Sequence, residues 1–177
     1  YSVKPDEDEN QGAYKYHFYN PVTQRNFMGE KKSALLKCVT HFNEAVDCYK
    51  KGDKDMAYQE LGRSIHFLED LNTPVHTAYD LPSDAVIKFP LHVRFEKTCD
   101  KICDGCLAIV EKEGLKYFNV NPVETIAKSS AVLSADNFYY LENVEDIKEE
   151  SLARNAVLNA QHKVTGICYK FFGQINS

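Results

Sequence analysis

Between residues 33 and 72 the apolar side chains return at three- and four-residue steps, and that spacing commits this part of the chain to helices. Leu35, Leu36, Val39, Phe42, Val46 and Tyr49 make one stripe; Ala57, Leu61, Ile65 and Leu68 make a second. Gly52 suits the stop of the first helix, and the Asp53 carboxylate caps the start of the next. Thr73-Pro74 ends the second helix, because a residue before proline is disfavoured in the α region. A loop containing Pro82 and Pro90 leads to a third helix, with Pro90 at its first position, which runs past Cys106 to about Gly114. Asn121-Pro122-Val123-Glu124 predicts another start: a capping Asn, a proline in the first turn and an acid that favours the helix dipole. A last helix carries Leu152, Ala156, Val157, Ala160, Val164, Ile167, Cys168 and Phe171. Residues 1 to about 32 are polar, aromatic and broken by Pro5, Asn20-Pro21 and Gly29, an ordered segment leading into the helices. Strand signals are weak and no repeat is visible. The expected fold is all-α, a single-domain multi-helix bundle over residues 1–177.

Charge narrows the partners. The formal net charge is −5, and no dense Lys/Arg cluster exists to neutralise a duplex backbone. Lys50, Lys51 and Lys54 come nearest, but Asp53 and Asp55 lie among them, as in a solvated turn between helices. No nucleic-acid partner is expected, although bound metal ions could still neutralise an anionic substrate. No apolar run reaches bilayer length and no signal-peptide pattern is present. The six cysteines, an even number, suit a disulfide-bearing secreted or lumenal protein. Cys103 and Cys106 have a CxxC spacing without a second CxxC, and with Cys99 they share one helical face, so disulfides or buried thiols are favoured over a metal site.

The chemistry concentrates in thirty-one residues, from His66 to Glu96, which hold three of the six histidines. His66 and Asp70 stand at i and i+4, so an imidazole and a carboxylate project from one face of a helix towards a common ion. His92 and Glu96 repeat the device on the next helix, and His76 lies between the pairs, just past Pro74. A single such pair is more often a surface hydrogen bond than a ligand set. Two pairs, an intervening His and a helix break point to a cluster of metal ions. The face of the second helix that carries His66 and Asp70 is also not its apolar stripe.

The run from Gly62 to His76, Gly-Arg-Ser-Ile-His-Phe-Leu-Glu-Asp-Leu-Asn-Thr-Pro-Val-His, resembles the signature of the zinc-dependent phospholipase C family. That family includes the bacterial phosphatidylcholine-preferring enzymes and the catalytic domain of the alpha-toxins, and it is related to single-strand nucleases of the S1/P1 type. His92-Val-Arg-Phe-Glu96 is similar to its second signature, and His17-Phe-Tyr-Asn-Pro21 to its upstream His-Phe-aromatic-Asp-Pro element, with Asn20 in place of Asp. Pro5-Asp6 falls where the family has its first Asp ligand. Asn159 to Thr165 and Phe171-Phe172-Gly173 resemble its last helix.

The resemblance implies a helical fold around three zinc ions. Asp6, His17, His66 and Asp70 would hold one ion and His76, His92 and Glu96 a second, while Asp70 would also bridge to a third. In the family the third ion is bound by an N-terminal Trp and a His of the first helix. This sequence has no Trp and no His before His17, so two ions are expected from this chain and a third only if an N-terminal helical segment, or a second chain, completes the site. The implied reaction is hydrolysis of phosphatidylcholine-type glycerophospholipids to diacylglycerol and a phosphorylated head group, with Asp6 as the catalytic base, on phospholipid at a membrane surface. An S1/P1-like nuclease and a catalytically impaired lipid-binding or structural relative are the alternatives. His41 and His162 are read as structural residues.

Overall fold

The computed structural model describes residues 4–7, 12–113, 121–143 and 146–176, and among them there is no strand. Eight α-helices follow in order: α1 Lys4–Glu7, α2 Ala34–Lys50, α3 Lys54–Asp70, α4 Pro74–Thr77, α5 Pro82–Ile87, α6 Phe89–Glu113, α7 Val123–Glu142 and α8 Asp146–Ile175. A 3-10 turn over Tyr14–His17 precedes α2. The all-α expectation holds.

α2 and α3 form a hairpin. Gly52 takes φ 90°, a left-handed conformation that costs glycine little, and this lets the chain reverse. Asp53 caps α3 by accepting from the Met56 amide at 3.1 Å. The two helices meet closely at Ser64, whose hydroxyl donates to the Cys38 carbonyl at 2.8 Å.

Two apolar cores divide the molecule. One, around Phe42, Leu68, Ile126 and Phe171, lies between α2, α3, α7 and α8. The other, around Phe18, Tyr79, Phe95, Phe138 and Leu141, joins the segment after the 3-10 turn to α4, α6 and α7. A fully buried phenylalanine contributes about 1.5–3 kcal/mol by burial. Truncating one of these rings to alanine costs about 3–5 kcal/mol. The polar residues of interest sit where the two cores adjoin.

Asparagines order the leading segment. Asn20 Oδ1 accepts from the amides of Val22 and Thr23, at 2.8 and 3.1 Å, while its Nδ2 donates to Asp80 at 2.7 Å. Asn26 does the same for Met28 and Glu30. These side chains replace the strand ladder or helix that residues 18–32 lack.

Three expectations need correction. Part of the Pro82–Pro90 loop is helix α5, and α6 starts at Phe89, so Pro90 is its second residue. α7 begins at Val123 with Pro122 as its cap, one residue later than a cap at Asn121. The disulfides are not formed among the described residues. Cys38 and Cys48 both lie on α2, ten positions apart and so about 15 Å along the axis. A bridge needs Cα atoms within about 7 Å. Cys38 and Cys106 are buried thiols instead, and burial pushes the Cys38 thiol up to about 12.

Candidate metal centre

Five elements bring the site together. α3 supplies His66 and Asp70 from adjacent turns near its C-terminal end. Thr73 then takes φ −102° and ψ 113°, the extended conformation demanded by Pro74, and Pro74 opens α4, which carries His76. α6 supplies His92 and Glu96, one turn apart. The 3-10 turn ends on His17, and Asp6 comes from α1.

All seven sequence-predicted ligands converge. His17 Nδ1 lies 2.9 Å from His66 Nε2 and 2.9 Å from Asp70 Oδ2. Asp6 Oδ1 closes the set at 3.5 Å from His66 Nε2 and 3.8 Å from His17 Nδ1. In the second set, Glu96 Oε1 is 3.0 Å from both His76 Nε2 and His92 Nε2. In each of the triads Asp6–His17–His66 and His76–His92–Glu96, the donor atoms all lie within 4.8 Å of one another.

Asp70 joins the two sets. Its Oδ2 faces His17 and His66, while its Oδ1 is 3.2 Å from His76 Nδ1. That nitrogen also lies 3.2 Å from the His17 carbonyl oxygen. An acceptor on that side places the ring proton on Nδ1 and turns the Nε2 lone pair of His76 towards His92 and Glu96. Phe18 holds the ring from one face, stacked at 4.9 Å and 8°.

The charges are interdependent. Burial opposes ionisation of Asp70, but the charges of His76 and His66 and the hydrogen bond with His17 outweigh it and hold its pKa below the ordinary value. Burial likewise works against protonated His76, yet the Asp70 charge and the Glu96 hydrogen bond raise its pKa overall. Glu96 is driven well below the usual carboxylate range: burial resists, and hydrogen bonds and charge from His76 and His92 prevail.

Such a donor set fits a divalent cation. Imidazole nitrogens and carboxylate oxygens aimed at one point suit a borderline-soft ion, whereas calcium and magnesium favour all-oxygen surroundings. Two imidazole nitrogens at 2.9 Å need a cation or a proton between them. Beside the donors opens a cavity of about 330 Å³, lined by Asp6, Tyr14, Phe18, Phe89 and ligands of both sets. The Asp6 side chain is 65% exposed, so it reaches solvent as well as the two histidines.

Two features were missed from sequence. The Phe18 stack has no local signal, since ring and imidazole come from segments far apart in the chain. His41 is not isolated: its Nδ1 lies 2.5 Å from Glu60 and 3.3 Å from Glu44, and its ring stacks on Phe67. The i, i+3 spacing to Glu44 was visible; the contact with Glu60 requires the α2–α3 hairpin.

No family model matches the chain. Individual proteins do. The phospholipase C of Bacillus cereus is 28% identical over 150 residues, covering 82% of this chain and 50% of that protein. The phospholipase C of Clostridium haemolyticum is 27% identical across 99% of this chain and 48% of its own length. Among solved structures, the alpha toxin from Clostridium absonum superposes with a TM-score of 0.83 at 25% identity, covering 99% of this chain and 52% of that one. The Clostridium perfringens alpha-toxin from an avian strain gives 0.76 at 24% identity, a likeness of fold. The chain thus spans about half the length of the curated relatives it matches.

Proposed function

We propose that this relative of the bacterial phospholipases C is a zinc-dependent phosphodiesterase that hydrolyses phosphatidylcholine-type glycerophospholipids to diacylglycerol and a phosphorylated head group. The observation that carries the reading is the pair of converging His/carboxylate sets, linked by Asp70 and opening on one cavity. Asp6, His17, His66 and Asp70 are the proposed ligands of one zinc, and His76, His92 and Glu96 those of a second. A third ion calls for donors from an N-terminal segment or a second chain.

Bound zinc supplies a water of lowered pKa and positive charge for the phosphoryl oxygens. The rest falls to this chain's residues. Asp70 fixes the spacing of the two donor sets. The His17 carbonyl and the Phe18 ring hold His76 in one tautomer and one orientation. Asp6, exposed at the cavity wall, is placed to accept the proton of the attacking water. Tyr14 and Phe89, both exposed, offer an apolar mouth for the glycerol side of a lipid. No helix among the described residues is long and apolar enough to cross a membrane, and the proposed setting is secreted or lumenal, with lipid met at the membrane surface.

A nuclease is the rival reading. Two features favour the lipid reaction: the second set ends in Glu96, where nucleases of this type have Asp, and Thr73-Pro74-Val75 stands where they have Gln-Pro-Leu. A non-catalytic, lipid-binding relative is the other. Zinc-loaded protein incubated in parallel with lecithin vesicles and single-stranded DNA separates the three. Release of phosphocholine with intact DNA is expected; DNA cleavage without lipid hydrolysis would sink the proposal, and inactivity on both would leave the binding protein.

A further inference from the structure

A larger cavity, of about 520 Å³, opens on the other side of the segment that carries Phe18, and it shares no lining residue with the metal cavity. The separation follows from backbone geometry. Phe18 is extended, at φ −104° and ψ 146°, so consecutive side chains point to opposite sides. Phe18 stacks on His76; Tyr19 lines the second cavity, while its amide donates to the His76 carbonyl at 3.0 Å.

The lining is charged against the trend of the molecule. In a chain of net charge −5, this cavity is bordered by Arg25, Lys31 and Lys128 and by one acid, Glu124. Glu124 pairs with Lys128 at 2.7 Å, and Arg25 spends one donor on the Gly29 carbonyl at 2.8 Å. Lys31 has no ion-pair partner among the described residues, so two positive charges remain in excess.

Two residues with hydroxyls, Tyr19 and Ser33, line the same space. Tyr19 is 3% exposed and Ser33 1%, and neither hydroxyl has a hydrogen-bond partner among the described residues. Tyr19 feels the charges of Lys128 and Glu124, which places its phenol end beside those two cavity residues. Ser33 caps α2 without a side-chain hydrogen bond to the helix, so its hydroxyl is also uncommitted. Both hydroxyls are therefore free to donate to a ligand with several acceptor oxygens. Leu35, Leu36 and Val39 line the remaining wall, and this apolar strip suits what an anion is attached to rather than the anion.

We propose that this cavity is a phosphate-binding subsite, separate from the metal centre, that takes a phosphate group in contact with Tyr19, Ser33, Lys31 and Lys128. Phosphate fits better than carboxylate because its oxygens serve two hydroxyls and two ammonium groups together. The group comes either from the head of an anionic phospholipid, whose apolar part lies along Leu35 and Leu36, or from free phosphate. The inference does not require the hydrolytic reading, since it uses none of the metal donors.

The test is site-resolved. Zinc-loaded protein with labelled Leu and Val methyls is titrated with inorganic phosphate and followed by NMR, together with Lys31→Ala/Lys128→Ala and Tyr19→Phe. Saturating shifts at Leu35, Leu36 and Val39 are expected. They should weaken at least about tenfold in the double variant and about tenfold in Tyr19→Phe. His92 resonances report the metal centre and should respond alike in all three proteins, so a failure of one site is not mistaken for a failure of the other. No shift at the three residues, or shifts unchanged in the double variant, overturns the proposal. Flotation with vesicles of phosphatidylcholine, with and without phosphatidylglycerol, identifies the source. Binding at least about fivefold stronger with phosphatidylglycerol, and lost in the double variant, assigns the lipid head. Equal flotation with the methyl response retained assigns free phosphate.

Discussion

Asp70 and His76 stand on either side of a helix break, with Oδ1 of one 3.2 Å from Nδ1 of the other, while the second oxygen of Asp70 is 2.9 Å from His17. One buried carboxylate therefore touches a histidine of each donor set. Asp70→Asn keeps the shape and removes the charge. Zinc per chain, measured by elemental mass spectrometry, should fall, and lipid hydrolysis should drop at least about 100-fold. Full activity with normal zinc content would count against both the ligand assignment and the mechanism.

The two sets should otherwise be separable. His92→Ala removes a donor only from the His76–Glu96 set, and His17→Ala only from the Asp6–His66 set. Each is expected to lose about one zinc per chain and retain the other. Loss of all metal from His92→Ala would mean that the sets fill as one unit.

Acid and base should act in opposite directions on the metal-free and metal-loaded protein. His76 has a raised pKa in the fold, so its contribution to stability is complete below the unfolded value of about 6.5 and fades as pH rises through the folded one. Asp70 and Glu96 are lowered, so theirs is present above about pH 4 and lost as acid nears their folded values. Chelator-treated protein should melt highest between about pH 4.5 and 6.5 and lower at about pH 8. The stabilisation gained on adding zinc should grow over that same rise, because imidazoles must shed protons to bind metal. Thermal scans with and without chelator check both slopes; a metal-free midpoint that climbs towards pH 8 contradicts the assignment.

Pro74 is the joint that aims His76. In Pro74→Ala, residue 73 is released from its extended conformation and α3 can run on, carrying His76 away from Glu96. Zinc affinity of the second set should fall about tenfold with the first unchanged. The fold should lose about 0.5–1 kcal/mol. Competition against a chromophoric chelator, beside a urea melt, measures the two effects.

Much of this was legible from short-range pattern. The Asp53 cap, the Pro74 break and the His66/Asp70 and His92/Glu96 pairs are set by residues within four positions of each other, and all appear where expected. α5 has no sequence signature of period because a helix of six residues is too short to show one, although Pro82 in its first turn and Asp84, which accepts from the Leu81 amide at 2.9 Å, mark a helix start. His41–Glu60 and Phe18–His76 exist only once separate segments are packed. The expected disulfides failed for a related reason: an even cysteine count says nothing about which cysteines share a helix, and Cys38 and Cys48 do.

The proposed metal donors are drawn from positions 6, 17, 66, 70, 76, 92 and 96, and no disulfide joins the described residues. Under that assignment, coordination is the chain's means of cross-linking itself. Each bound ion closes loops of tens of residues, removing entropy from the unfolded ensemble as a covalent bridge would. Unlike a covalent bridge, this one is set by the free metal concentration. If the assignment holds, α1 and the 3-10 turn should lose their tether to α3 in zinc-poor solution, while the core around Phe42 and Phe171 keeps its packing. Protease sensitivity near residues 6–17 would then report the zinc content of the surroundings.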